Sequence, residues 1–225
     1  MPGEGRNGSR GRKLQVAGMS VKAINEILND KTALTVETAT LIGKALGNEL
    51  ASLSLLDEGP ARLVKALRTA GIGFFVLSHL TKSYLDGAAL FVKANPFVVW
   101  TGRFDRNDNF WFTVAHELAH VVFGHVRKEG DEILDELGDE AESEKEKAAD
   151  ALAGKWLKAQ EILDFAEPYK QYLSRERIER CAAELGLHPG IVVGRLQHAG
   201  ILPYKNLNNY KVAVLDGLGE AVKVG

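Results

Sequence analysis

His116-Glu117-Leu118-Ala119-His120 places two histidines four residues apart, with a glutamate directly after the first. In a helix that spacing puts both imidazoles on one face. Two such rings can share a Zn²⁺ ion, and the intervening carboxylate then lies close enough to take a proton from water on the metal. The same helix must also offer an apolar face to a core. Trp111, Val114, Leu118 and Val122 supply it, so the pattern predicts a helix beginning near Asp108-Asn109 that covers a sheet.

A mononuclear catalytic zinc takes three protein ligands and leaves one position for water. Beyond an acidic stretch from Glu129 to Glu146, a helix is predicted from Ser143 to Ala159, with Glu146 and Asp150 at i and i+4 on one face. We favour Glu146 as the direct ligand and Asp150 as an acceptor for an imidazole N–H, with the reverse assignment open. Glu142, Glu144 and Glu146 would equally compose a solvated charge run. His125 is a weaker candidate ligand. A downstream third histidine falls ten residues after the first and follows a helix-breaking glycine at a distance, whereas Gly124 immediately precedes His125. Its other reading is a polar residue at a helix end, stabilised by the helix dipole.

With 225 residues, 45% of them hydrophobic and 26% charged, the chain can build one substantial core or two small ones. A net charge of -2 excludes an overall basic field, so any nucleic-acid contact must be local. Arg6, Arg10, Arg12 and Lys13 make such a patch, in a glycine-rich start read as a disordered arm over residues 1–12. The single cysteine, Cys181, excludes an intramolecular disulfide and a cysteine-based zinc site. No stretch approaches the ~20 apolar residues of a membrane span and no signal-peptide pattern opens the chain, so a cytoplasmic protein is expected.

Ser20 caps a predicted helix through Leu28, and Thr35 caps a second that ends at Gly47. After Gly59-Pro60 comes an amphipathic helix over Ala61 to Ala70. Gly73 to Leu77, Ala89 to Lys93 and Phe97 to Trp100 read as a three-stranded sheet, the last two strands joined by a turn at Asn95-Pro96. Further helices are expected from Ser174 to Leu185, stopping at Gly186, and from His188 through Leu196, and a last strand over Tyr210 to Leu215.

The stretch Asn109-Phe110-Trp111-Phe112-Thr113-Val114-Ala115-His116-Glu117-Leu118-Ala119-His120-Val121-Val122-Phe123-Gly124-His125 resembles the ImmA/IrrE family of bacterial metallopeptidase-like proteins. Glu146-Lys147-Ala148-Ala149-Asp150-Ala151-Leu152-Ala153 is similar to that family's second motif, with Leu152 where a phenylalanine is usual. Trp156-Leu157-Lys158-Ala159 stands where many relatives carry Leu-Leu-Met-Pro. The resemblance implies a gluzincin-type Zn²⁺ site with His116, His120 and Glu146 as ligands and Glu117 as general base. It also implies a partner protein, a repressor or antitoxin, as the substrate of cleavage. Tyr84-Leu85-Asp86-Gly87-Ala88-Ala89 and Gly194-Arg195-Leu196-Gln197-His198 resemble a subgroup fused to a HigA-like helix-turn-helix, as does Ser20 to Asn29 followed by Ala33 to Ala39.

The implied class is α+β: a zincin-like domain over residues 59–225, its small antiparallel or mixed sheet packed on the histidine helix, after a partly truncated all-α helix-turn-helix over 13–58. A zinc endopeptidase is the leading expectation. A HigA-like antitoxin or regulator is the alternative, with Lys22, Asn25 and Lys31 on DNA phosphates and a structural or weakly active zinc site. Tyr84, His125 and His198 are candidates to stabilise an oxyanion, and linear spacing does not select among them.

Overall fold

The computed structural model describes residues 36–77, 85–93, 95–128, 130–136, 144–170, 172–219 and 223–224. The basic arm, the helix from Ser20, the Thr35 cap and Tyr84 lie outside them. The chain runs α1 (Val36–Ser54), α2 (Gly59–Thr69), β1 (Gly73–Leu77), β2 (Leu85–Val92), β3 (Asn95–Trp100), α3 (Asn107–Val122), β4 (Glu132–Glu136), α4 (Glu144–Trp156), α5 (Ala159–Ala166), α6 (Arg175–Leu185), α7 (Pro189–His198), α8 (Leu215–Leu218) and β5 (Lys223–Val224). The class is α+β, with helices around one small mixed sheet.

The sheet has five strands in the order β4-β2-β3-β1-β5, two more than the sequence suggested. β2 runs antiparallel to both β3 and β4, while β1 runs parallel to β3 and β5. β4 falls within the acidic stretch and gives no strand signal, because Glu-Ile-Leu-Asp-Glu is poor strand material. Its place at an edge resolves the conflict: Ile133 packs against the core, and acidic residues suit an edge that must not pair indiscriminately.

The hairpin between β2 and β3 corrects the expected turn. Val92 pairs with Asn95 and Phe91 with Pro96, so both supposed turn residues belong to β3 and the chain reverses before them, with Lys93 at φ 46°. Pro96 is tolerated there because β1 first pairs with β3 at Phe97. Its missing N–H therefore costs the sheet no bond on that side.

Two helix ends also differ from the sequence reading. α1 continues through Gly47 to Ser54, and the reason is packing: a Cβ on Gly47 would lie 2.2 Å from Cε2 of Trp156. The glycine marks a close approach of α1 to α4 instead of a helix stop. α4 ends at Trp156, short of Ala159, and Lys158 at φ 53° turns the chain into α5. No strand forms over Tyr210 to Leu215. There the Asp105 carboxylate accepts the N–H groups of Val214 and Leu215 at 2.7 and 2.9 Å, and Asn107 donates its N–H to Val212, so the backbone is satisfied without a ladder.

α3 lies between the sheet and the other helices. Phe74, Val76, Ala89, Val98 and Trp100 face it from the strands, and Leu50, Ala149, Ala153 and Val192 belong to the same core. Trp100 Nε1 donates to Asn109 Oδ1 at 2.8 Å and ties the sheet to the start of this helix. α1 therefore shares a core with the elements beyond Gly59. Among the described residues no helix is long and apolar enough to cross a membrane.

Replacing Gly47 with Ala should force α1 and α4 apart and destabilise the protein by about 1–3 kcal/mol in chemical denaturation. Gly217→Ala, in α8 with nothing within 4 Å of the added carbon, is the matched control and should be near neutral. Equal stability of the two variants would refute this account of α1 and Trp156.

Candidate metal centre

Helix α3 is buried nearly all round, and that is what makes its polar residues informative. His116 is 4% exposed, while Glu117 and His120 are fully buried. Polar groups taken out of water at this depth require partners. For the histidines the fold supplies them from α4 and from the turn that ends α3, while the strand beneath packs against Glu117.

His116 Nε2 lies 3.1 Å from His120 Nε2 and 3.1 Å from Glu146 Oε2, and His120 Nε2 is 3.4 Å from the same carboxylate oxygen. Ligand atoms of these three residues all fall within 4.8 Å of one another. Two imidazole nitrogens and one carboxylate oxygen so gathered form a donor set of the kind that holds zinc. On the far side of the ring, His116 Nδ1 meets Asp150 Oδ1 at 2.8 Å. A carboxylate there fixes the tautomer in which Nε2 presents its lone pair, the form that can bind a metal. Glu146 thus lies against both histidines, and Asp150 stands behind one of them.

Burial, with the neighbouring His116 and His125 adding to it, pulls the His120 pKa from 6.5 down to about 3. His125 is also lowered, by burial first and then by Lys145 and Arg127. Both rings are therefore neutral at physiological pH. A neutral imidazole presents a lone pair without first losing a proton, which is the state a metal requires.

Glu117 is packed by strand β2. A Cβ on Gly87 would stand 2.4 Å from Thr113 Cγ2 and 2.7 Å from Glu117 Oε1, so only glycine lets this strand run so close to the carboxylate. Gly87 sits in a β-bulge: Leu85 pairs with Glu136 and Ala88 with Leu134, leaving two residues of β2 opposite one of β4. Thr101 occupies the carbonyls beside the bulge, its Oγ1 donating to Leu85 O at 2.9 Å and its N–H to Asp86 O at 3.0 Å.

His125 is not gathered with the three donors but meets the remaining nitrogen of His120, Nδ1 to Nδ1, at 3.0 Å. His198 is exposed at the end of α7, with a ring nitrogen 3.4 Å from Arg195 Nη1. Gly87 and the contact of His125 with His120 are what the sequence reading missed. A glycine inside a strand pattern is itself a signal of close backbone approach, and Gly124-His125 just past the helix carried the second.

The family profile described as the IrrE N-terminal-like domain, peptidase M78, matches residues 78–197, more than half of the chain. The chain belongs to this family. The match runs from just before β2 almost to the end of α7 and so contains every residue of the donor cluster. Comparison with curated proteins gives no match. Family membership supports a metallopeptidase-like function, and His116, His120 and Glu146 could bind the metal it calls for.

Asp150→Ala should weaken metal binding by roughly 10- to 100-fold while the fold survives, since Asp150 bonds the far side of the His116 ring. Competition titration against a chromophoric chelator measures this. Undiminished affinity would show that Asp150 does not orient His116.

Proposed function

We propose that this chain is a zinc-dependent endopeptidase of the gluzincin type that cleaves a cytoplasmic regulatory protein, a repressor or antitoxin. The observation that carries the reading is the meeting of His116, His120 and Glu146 beside the fully buried Glu117. His116 and His120 would hold the ion through Nε2 and Glu146 through a carboxylate oxygen. When bound, zinc supplies a Lewis acid that polarises a scissile carbonyl and acidifies water.

The protein's own groups do the rest. Glu117 takes the proton of the attacking water and delivers it to the departing amine, as general base and then general acid. The backbone of β2 at Gly87 holds its carboxylate in place from below. Asp150 keeps His116 in the metal-binding tautomer. At the edge of the sheet, β4 has one neighbour, β2, among the described residues, so its outer backbone groups are available to an extended peptide by strand addition. A peptide bound there lies along the strand that pairs with the bulge beside Glu117.

The regulatory substrate follows from the ImmA/IrrE resemblance of the two motifs. Co-expression with repressors or antitoxins encoded near the chain, followed by detection of cleaved partner, tests it. Loss of cleavage in the presence of a zinc chelator, and its return with added zinc, is the expected result. An intact partner under all conditions would argue against peptidase activity.

Glu117→Gln should retain zinc and lose roughly 10²- to 10⁴-fold in turnover, the range general-base catalysis contributes. A variant that cleaves at the wild-type rate would remove Glu117 from the mechanism. Gly87→Ala should also retain zinc but lose on the order of 10²-fold in kcat, because it displaces the base by a fraction of an ångström to an ångström. Wild-type turnover in Gly87→Ala would show that the bulge does not position Glu117.

A further inference from the structure

We propose that His125 is a positioning residue for the metal centre, accepting the Nδ1–H of His120 and holding that ring with Nε2 turned toward His116 and Glu146. The inference rests on the zinc reading of those three residues and adds a role that the motif does not state.

The argument begins in the backbone. Gly124 takes φ 65°, a left-handed conformation that glycine adopts without steric cost. Its N–H donates to Val121 O at 3.0 Å, and the next N–H, that of His125, donates to His120 O at 2.9 Å. This pair of bonds is the Schellman motif, which ends a helix by folding the second residue past the cap back over the last turn. The two residues so brought together usually make an apolar contact. Here they are His125 and His120, with ring centroids 5.0 Å apart and near-perpendicular planes at 66°.

The rest of the turn fixes the ring of His125. Phe123 stacks on it at 5.5 Å and 27°. Arg127 donates to the carbonyls of Gly124 and Phe123 and so closes the turn from outside. The imidazole is held by packing on one face and by backbone bonds on either side of its own residue.

Hydrogen-bond accounting then assigns the protons. When Nε2 of His120 carries a metal, the proton of that neutral ring sits on Nδ1, in a fully buried position where it needs an acceptor. Nδ1 of His125, 3.0 Å away, is that acceptor, so His125 carries its own proton on Nε2. The two ligand histidines are thus supported differently. His116 has the Asp150 carboxylate behind it, and His120 has a neutral ring. Glu146 and Asp150 already match the charge of a divalent ion. His125 orients the second ligand without adding a third negative charge beside Glu117.

The test uses the full chain stripped of metal, with Zn²⁺ affinity from chelator competition and the visible spectrum of the Co²⁺ form as readouts. His125→Phe keeps the stack on Phe123 and removes the acceptor. Its zinc affinity should fall roughly 10- to 100-fold, with an altered cobalt spectrum. His125→Asn sets an amide oxygen close to the place of Nδ1 and should restore most of the affinity and the wild-type spectrum. Wild-type affinity and spectrum in His125→Phe would overturn the inference alone, as would an Asn variant no better than Phe. A wild-type chain that takes up no zinc would overturn the metal reading and this inference with it.

Discussion

The structure depends on the burial of α3. A helix covered by a sheet on one side and by other helices elsewhere has almost no solvated face, yet this one carries His116, Glu117 and His120 at 4% exposure or less. Stability alone disfavours three titratable groups in such a position. Burial nonetheless prepares them. It drives the His120 pKa down to about 3 and keeps its ring neutral, and it surrounds Glu117 with the strand backbone instead of water. The same desolvation that costs folding energy strengthens any charge interaction made inside the site.

Keeping those groups in place draws on elements well apart in the sequence. Glu146 and Asp150 reach His116 only because α4 lies against α3, and α4 in turn rests its Trp156 on Gly47 of α1. α1 and β1 precede the segment matched by the family profile, yet Leu50, Phe74 and Val76 belong to the core that surrounds the histidine helix. Trp156 is accommodated by a glycine where its indole lands. Ligand geometry and this distant contact are mechanically connected through one helix.

The histidine helix, β1, α6 and α7 were legible in the sequence because local signals agreed with their final environment: an apolar periodicity, Ser174 and Gly186 at the ends of α6, and His188-Pro189 opening α7. The pairing of Glu146 and Asp150 was legible for the same reason, since i and i+4 on one helix face is a local rule. Where the reading failed, a long-range contact overrode a local preference. Gly47 looks like a helix stop until Trp156 arrives from α4. Glu132 to Glu136 looks like a loop until β2 offers a partner. Tyr210 to Leu215 looks like a strand until Asp105 takes its N–H groups. His125 belongs with these. Its spacing from His116 fits no ligand pattern, and it is the helix cap at Gly124 that brings its ring to His120.

The β-bulge at Gly87 joins sheet and site through the same kind of override. An unbulged β2 would keep pairing with β4 in register, and a side chain at position 87 would collide with Thr113 and Glu117. The extra residue re-aims the strand, glycine removes the side chain, and Thr101, on the β3 side, bonds the carbonyls of Leu85 and Asp86. One strand thereby pairs with the sheet edge through its backbone and presses on Glu117 with its face. Any force on β4, including a peptide added along it, reaches the carboxylate through two hydrogen-bonded strands and no flexible side chain. That rigidity suits the proposed role of Glu117 as a base that must stay aligned.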